Sequence, residues 1–159
     1  MKRRILVVGF LLLCMFSLFG CQSHKMPSDF NIVFQFGVNE NETVTLDTYN
    51  KVLTKGLDSN MKKVSCKIPE KDMRDIYDKL IENCIQGYKG EYKGTQVKEL
   101  PNIKFTIKYT LHKRTGVVSG DGSTVTNTKI KDINLLIDFR DYMTEYVKGL
   151  DEYKQLMAQ

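Results

Sequence analysis

Ile103-Lys104-Phe105-Thr106-Ile107-Lys108-Tyr109-Thr110-Leu111 decides how the rest of the chain is read. Apolar and polar residues alternate through the whole stretch. Successive side chains of a strand point to opposite faces, so this pattern marks a strand with one face in a core and the other in water. Such strands belong to antiparallel sheets, because parallel sheets are covered on both faces and read as continuous apolar runs. Downstream, Lys113-Arg114-Thr115-Gly116 reads as a hairpin turn with glycine at a left-handed position, and Val117 to Ser119 as the returning strand, closed by Gly120-Asp121-Gly122. Upstream, Phe30, Ile32, Phe34, Phe36 and Val38 repeat the alternation with an aromatic inner face. Asn39 to Glu42 is a turn, and Thr43 to Thr54 continues in β-favouring residues until Gly56-Leu57-Asp58-Ser59-Asn60 breaks it. A third short strand follows, with Val64, Cys66 and Ile68 on one face.

Two segments change period. Pro69 suits the first turn of a helix and Glu70 and Asp72 its positive end. Met73, Ile76, Tyr77, Leu80, Ile81 and Cys84 then recur at helical spacing until Gly87. From Ile130, one stripe (Ile133, Leu136, Ile137, Met143, Val147) and a second (Leu135, Phe139, Tyr142, Tyr146) predict a helix covered on much of its surface. Gly149 interrupts it before a last turn or two, Asp151 to Met157. The predicted order is β-β-β-α-β-β-α, an α+β fold with an antiparallel sheet of about five strands and two helices packed on one face. Residues 30–159 form a single domain, long enough for a core without disulfide staples.

The first 29 residues carry different information. Lys2, Arg3 and Arg4 precede a 15-residue apolar run, Ile5 to Phe19, the pattern of a secretory signal peptide. As a helix that run rises roughly 22 Å, short of the ~30 Å hydrocarbon layer. The chain as a whole has 24 Lys and Arg against 19 Asp and Glu, but without the three leader cations the excess falls to about +2. Charge therefore gives no case for nucleic acid as a partner. The run ends in Leu18-Phe19-Gly20-Cys21, which resembles the lipobox of bacterial lipoproteins. The resemblance implies a signal peptide over 1–20, cleavage between Gly20 and Cys21, and a diacylglyceryl group with palmitate-type chains on the Cys21 sulfur. Two acyl chains, at ~0.8 kcal/mol per buried CH₂, anchor a protein stably where one does not. Residues 21–29 would be the lipidated cysteine and a polar tether, and the domain would sit at the extracytoplasmic face of the cell membrane. Through Leu46-Asp47-Thr48-Tyr49 and Glu152-Tyr153-Lys154-Gln155-Leu156, the mature part is also similar to a group of small lipoproteins of Gram-positive bacteria. That resemblance implies no activity.

No G-x-S-x-G, Walker, G-x-G-x-x-G or H-E-x-x-H pattern occurs. Ser59-Asn60-Met61-Lys62 matches S-x-x-K by chance, in a loop. Cys66 and Cys84 would lie on apolar faces as buried thiols. A disulfide is chemically permitted by export but is disfavoured by the offset between a strand end and a helix end. Neither a catalytic residue, a metal site nor a cofactor is implied. His24 in the tether and His112 at a strand end read as surface residues. Two exposed features remain as partner contacts. Lys104, Lys108, His112, Lys113 and Arg114 form a basic stripe, which would attract anionic head groups or envelope polymers at ~1 kcal/mol per cation or guard a sheet edge against aggregation. Tyr88 and Tyr92, between glycines in a polar loop that runs on to Pro101, would supply aromatic contacts or cover a core edge. The expected function is a non-enzymatic, membrane-anchored binding or accessory module with a protein or envelope-polymer partner. A small envelope hydrolase or inhibitor and a carrier of small apolar ligands are the alternatives.

Overall fold

One row of side chains crosses most of the sheet. Val64, Leu53, Leu46, Phe34, Ile107 and Val118 stand opposite one another on successive strands, and all are buried. Each such side chain contributes about 1.5–3 kcal/mol when fully buried, so the row fixes the register of every strand it crosses. The computed structural model describes residues 25–39, 42–56, 61–93, 103–121 and 133–158. Its strands are β1 (Asn31–Gly37), β2 (Val44–Asp47), β3 (Val52–Lys55), β4 (Lys62–Ser65), β5 (Gly90–Lys93), β6 (Lys104–Leu111) and β7 (Arg114–Asp121). They form one sheet in the order β4-β3-β2-β1-β6-β7-β5, antiparallel throughout except where β5 runs parallel to β7. The helices are α1 (Glu70–Glu82), α2 (Ile133–Gly149) and α3 (Asp151–Met157), with a 3₁₀ turn at Ile85–Gly87.

The fold is mixed α+β. One face of the strands and the buried sides of the helices form one apolar cluster, with Ile76, Tyr77 and Leu80 from α1, Leu136, Phe139, Met143 and Val147 from α2, and Leu156 from α3. α3 packs on β3 and β4. Phe30 meets Tyr77 edge-on at 5.3 Å, tying the start of β1 to α1, and the Tyr146 hydroxyl donates to Asp72 Oδ2 at 3.0 Å, tying α2 to α1. Two glycines in β7 admit aromatic rings from β6. A Cβ on Gly116 would fall inside the Tyr109 ring, and one on Gly120 would lie 2.6 Å from the Phe105 ring.

The described residues hold seven strands and three helices where the sequence pattern predicts about five and two. The stretch Thr43–Thr54 is two strands, because Asp47 accepts from the backbone and side chain of Asn50 (2.9 and 2.7 Å) and closes a tight turn. Thr48 replaces a ladder partner there: its hydroxyl accepts from Ile32 N–H and donates to Ile32 C=O. Residues 90–93 are strand β5 within what reads as a polar loop. The first helix ends at Glu82, where Asn83 Nδ2 donates to the Lys79 carbonyl, so Cys84 lies beyond it in a left-handed conformation (φ 52°). Ile130, predicted to open the last helix, lies outside the described residues.

Candidate functional site

The β6–β7 hairpin positions the site. Its turn is His112-Lys113, with both residues at positive φ (49° and 62°), and not the predicted Lys113–Gly116. Neither residue is glycine, and each such conformation costs roughly 1–2 kcal/mol. Asp29 offsets this: its carboxylate accepts the backbone N–H of Lys113 (2.6 Å) and of His112 (3.2 Å). Those bonds, that from Lys113 foremost, hold the Asp29 pKa below the usual carboxylate value. The segment just before β1 is thereby fastened to the tip of the hairpin.

From this turn outward, β7 is only half covered. β5 pairs with Val118 to Asp121, and among the described residues no strand pairs with Arg114 to Val117 on that side. In a two-residue hairpin the flanking pair, Leu111 and Arg114, is hydrogen-bonded and the pairs alternate from there. The N–H and C=O of Thr115 and the N–H of Val117 therefore point away from β6, toward the open side, while the Val117 carbonyl faces Gly90 at the start of β5. Gly90, at φ 83°, turns the chain off the sheet at this point, so Tyr88 and Lys89 stand away from β7 as an opposite wall. Between them lies a groove of about 990 Å³, whose floor includes Tyr77, Ile81, Tyr109 and Leu111. Among the described residues its charged lining is Lys25, Lys89 and Arg114, with His112 beside them and no carboxylate. A second, more open groove beside residues 25–30 is lined by Lys25, Lys67, Arg74 and Lys113 together with two carboxylates, Asp29, engaged by the turn, and Glu70, 3.7 Å from Arg74.

The residues singled out from sequence fall into separate places. Tyr88 and Tyr92 follow the second of their two readings and cover the core edge instead of standing out as exposed partner contacts. Both are buried, at 6% and 8% exposure, and meet edge-on at 5.8 Å, while Tyr92 Oη accepts from Lys89 N–H at 3.2 Å. Only Tyr88 reaches the groove. The basic stripe is not one surface. Lys104 and Lys108 are exposed on the outer face of β6, which lies between β1 and β7 and so guards no edge. Lys113 is at the hairpin tip, and Arg114, opposite Leu111, shares the helix-side face and lines the groove. His112 lies in the turn itself. Cys66 and Cys84 are free thiols in distinct settings. Cys66 is buried and its pKa is pushed up to about 11, chiefly by burial, whereas Cys84 is exposed and not on an apolar face. Glu42 and Asn39, read as turn residues, bond to each other across that turn. Gly20, Cys21 and His24 lie outside the described residues.

Neither a known protein family nor a curated protein matches this chain. The geometry therefore stands alone. It adds one residue that pattern reading passed over. Arg140 of α2 is the only charged side chain buried among the described residues. It pairs with Asp141 (2.7 Å), lies 5.9 Å over the Phe105 ring, and leaves one terminal nitrogen without a hydrogen bond. The signal was present: Leu136, Arg140, Met143 and Val147 share one helical face. Among the described residues no cluster of three or more His, Cys, Asp or Glu is placed to hold a metal, and no helix is long and apolar enough to cross a membrane.

Proposed function

We propose that this chain is a lipid-anchored, extracytoplasmic binding module without catalytic chemistry of its own. It is held to the outer face of the cytoplasmic membrane through Cys21 and meets its partner along the groove beside Arg114–Val117. The observation that carries the reading is the position of Lys25. It lines the groove and lies four residues after the lipobox cysteine, at most about 14 Å of extended chain. A partner in the groove is thus a partner at the membrane surface. Support for binding in place of catalysis comes from four of the groups with displaced pKa values, beside the Tyr77 and Tyr109 hydroxyls of the groove, whose pKa values burial raises. Asp29 holds a turn, Asp151 bonds Lys154, Tyr146 bonds Asp72, and Cys66 is enclosed in the core. All four serve the fold.

Metabolic labelling with an alkyne-bearing fatty acid tests the anchor. Wild type takes up label and partitions into detergent, and Cys21→Ser does neither and accumulates as precursor. An unlabelled wild-type chain beginning at Met1, recovered without detergent, would overturn the proposal.

A further inference from the structure

We infer that the groove takes an extended acidic peptide, added as a strand to the free half of β7. The inference rests on the proposed binding role and names its ligand class. Three observations converge on it. First, among the described residues the rim of the groove is a sheet edge, and the outward N–H and C=O of Thr115 together with the outward N–H of Val117 present donors and an acceptor at strand spacing. That alternation matches an extended polypeptide backbone, whose donors and acceptors repeat at the same spacing, and a lipid head group has no such repeat. Second, β5 already occupies the other half of the same edge, so an incoming segment continues an existing strand line and needs no new sheet geometry. Third, the walls set the sign of the side chains. Among the described residues, Lys25, Lys89 and Arg114 line the groove with His112 and without a carboxylate, which favours Glu or Asp at positions facing the helix side. Strand addition derives affinity from main-chain bonds and selectivity from the pockets for alternate side chains. A second copy of this chain fits less well, because edge-to-edge pairing would bring two cationic rims together.

Binding is tested on the full-length chain in detergent micelles with an eight-residue capped peptide alternating Glu and Val. Amide exchange is followed by NMR. Peptide should slow exchange at Thr115 and Val117 about tenfold or more, and leave the β4 amides unchanged. Val117→Pro, which removes an outward donor at an edge position where proline is tolerated, should weaken binding about tenfold or more while circular dichroism stays native. Arg114→Glu keeps the backbone and should lower affinity roughly tenfold, with the loss shrinking as salt rises. A peptide alternating Lys and Val should give no protection. Equal protection by the Lys peptide would overturn the charge assignment. Protection that is absent, or that survives Val117→Pro, would overturn strand addition, as would protection that scales with protein concentration instead of peptide. Each of these results is independent of whether Cys21 carries lipid, which the labelling experiment reads separately.

Discussion

The two ends of the sheet solve one problem in opposite ways. β4 is a four-residue edge strand, its exposed positions held by Lys62 and Lys63, with α3 packed beside it. A short, positively charged edge repels further strands. At the other end, β7 extends past β5 for four residues, and the exposed apolar residue there is Val117. One edge is guarded and the other is left as a template facing a groove. A protein under selection only for solubility would guard both, so the asymmetry is the strongest pointer to function in the molecule.

The largest test of this contrast removes the strand that covers half of β7. Tyr92 pins β5 to the core, and Tyr92→Ala should cost about 3 kcal/mol in chemical denaturation. Amides of Ser119 and Asp121 should then exchange as fast as those of Thr115 and Val117. Continued protection at Ser119 would show that β5 is held by something other than its buried tyrosine. The hairpin tip comes next. Replacing its strained turn by Asn-Gly (H112N together with K113G) should raise stability by roughly 1–2 kcal/mol, because both residues accept positive φ at low cost. Asp29→Asn should act in the opposite direction. The Asp29 pKa is lowered on folding, so its contribution is complete above the unfolded carboxylate value near pH 4 and is lost as pH falls through the folded value. Thermal melts of wild type and Asp29→Asn should therefore converge in acid.

Removing the guard should change little in the monomer and much in the test tube. Lys62→Val with Lys63→Val should alter unfolding free energy by less than about 0.5 kcal/mol, yet produce concentration-dependent association by light scattering. A variant that stays monomeric would show that β4 is protected by α3 alone. The smallest effect is read by the two thiols, one beside each edge. Cys84, on the path to β5, should react with a maleimide at once, and Cys66, just after β4, only when the domain opens. The folded pKa of Cys66 is raised, so its contribution is whole below the ordinary thiol value of 9.0 and is lost as pH rises toward about 11. Global stability should decline across that alkaline window, and less so in Cys66→Ala.

Periodicity made the core legible. Phe30 to Phe36 and Phe105 to Leu111 alternate so cleanly that their inward sides follow directly, and the face of α1 follows from Ile76, Tyr77 and Leu80. What escaped was local or cross-chain. The β2–β3 turn depends on Asp47 and Asn50 side chains bonding the backbone, and β5 is too short and glycine-rich to show a period. The hairpin turn moved because Asp29, more than eighty residues away, satisfies two N–H groups that a local reading leaves unpaired. The groove was invisible for a related reason. An open edge is a property of strand order, and nothing in Thr115-Gly116-Val117 announces that β5 stops one residue short of it.

The placement of β1 has a mechanical consequence. The chain enters the domain at Lys25 and runs directly into β1, which is hydrogen-bonded along its length to β6 and over its second half to β2. A force applied at the N-terminal end is therefore delivered to the middle of the sheet, along a strand axis, and loads those bonds in shear together. The same force on an outer strand would peel them one at a time. With the proposed anchor at Cys21, a bound partner could tug the domain without unravelling it from its margin.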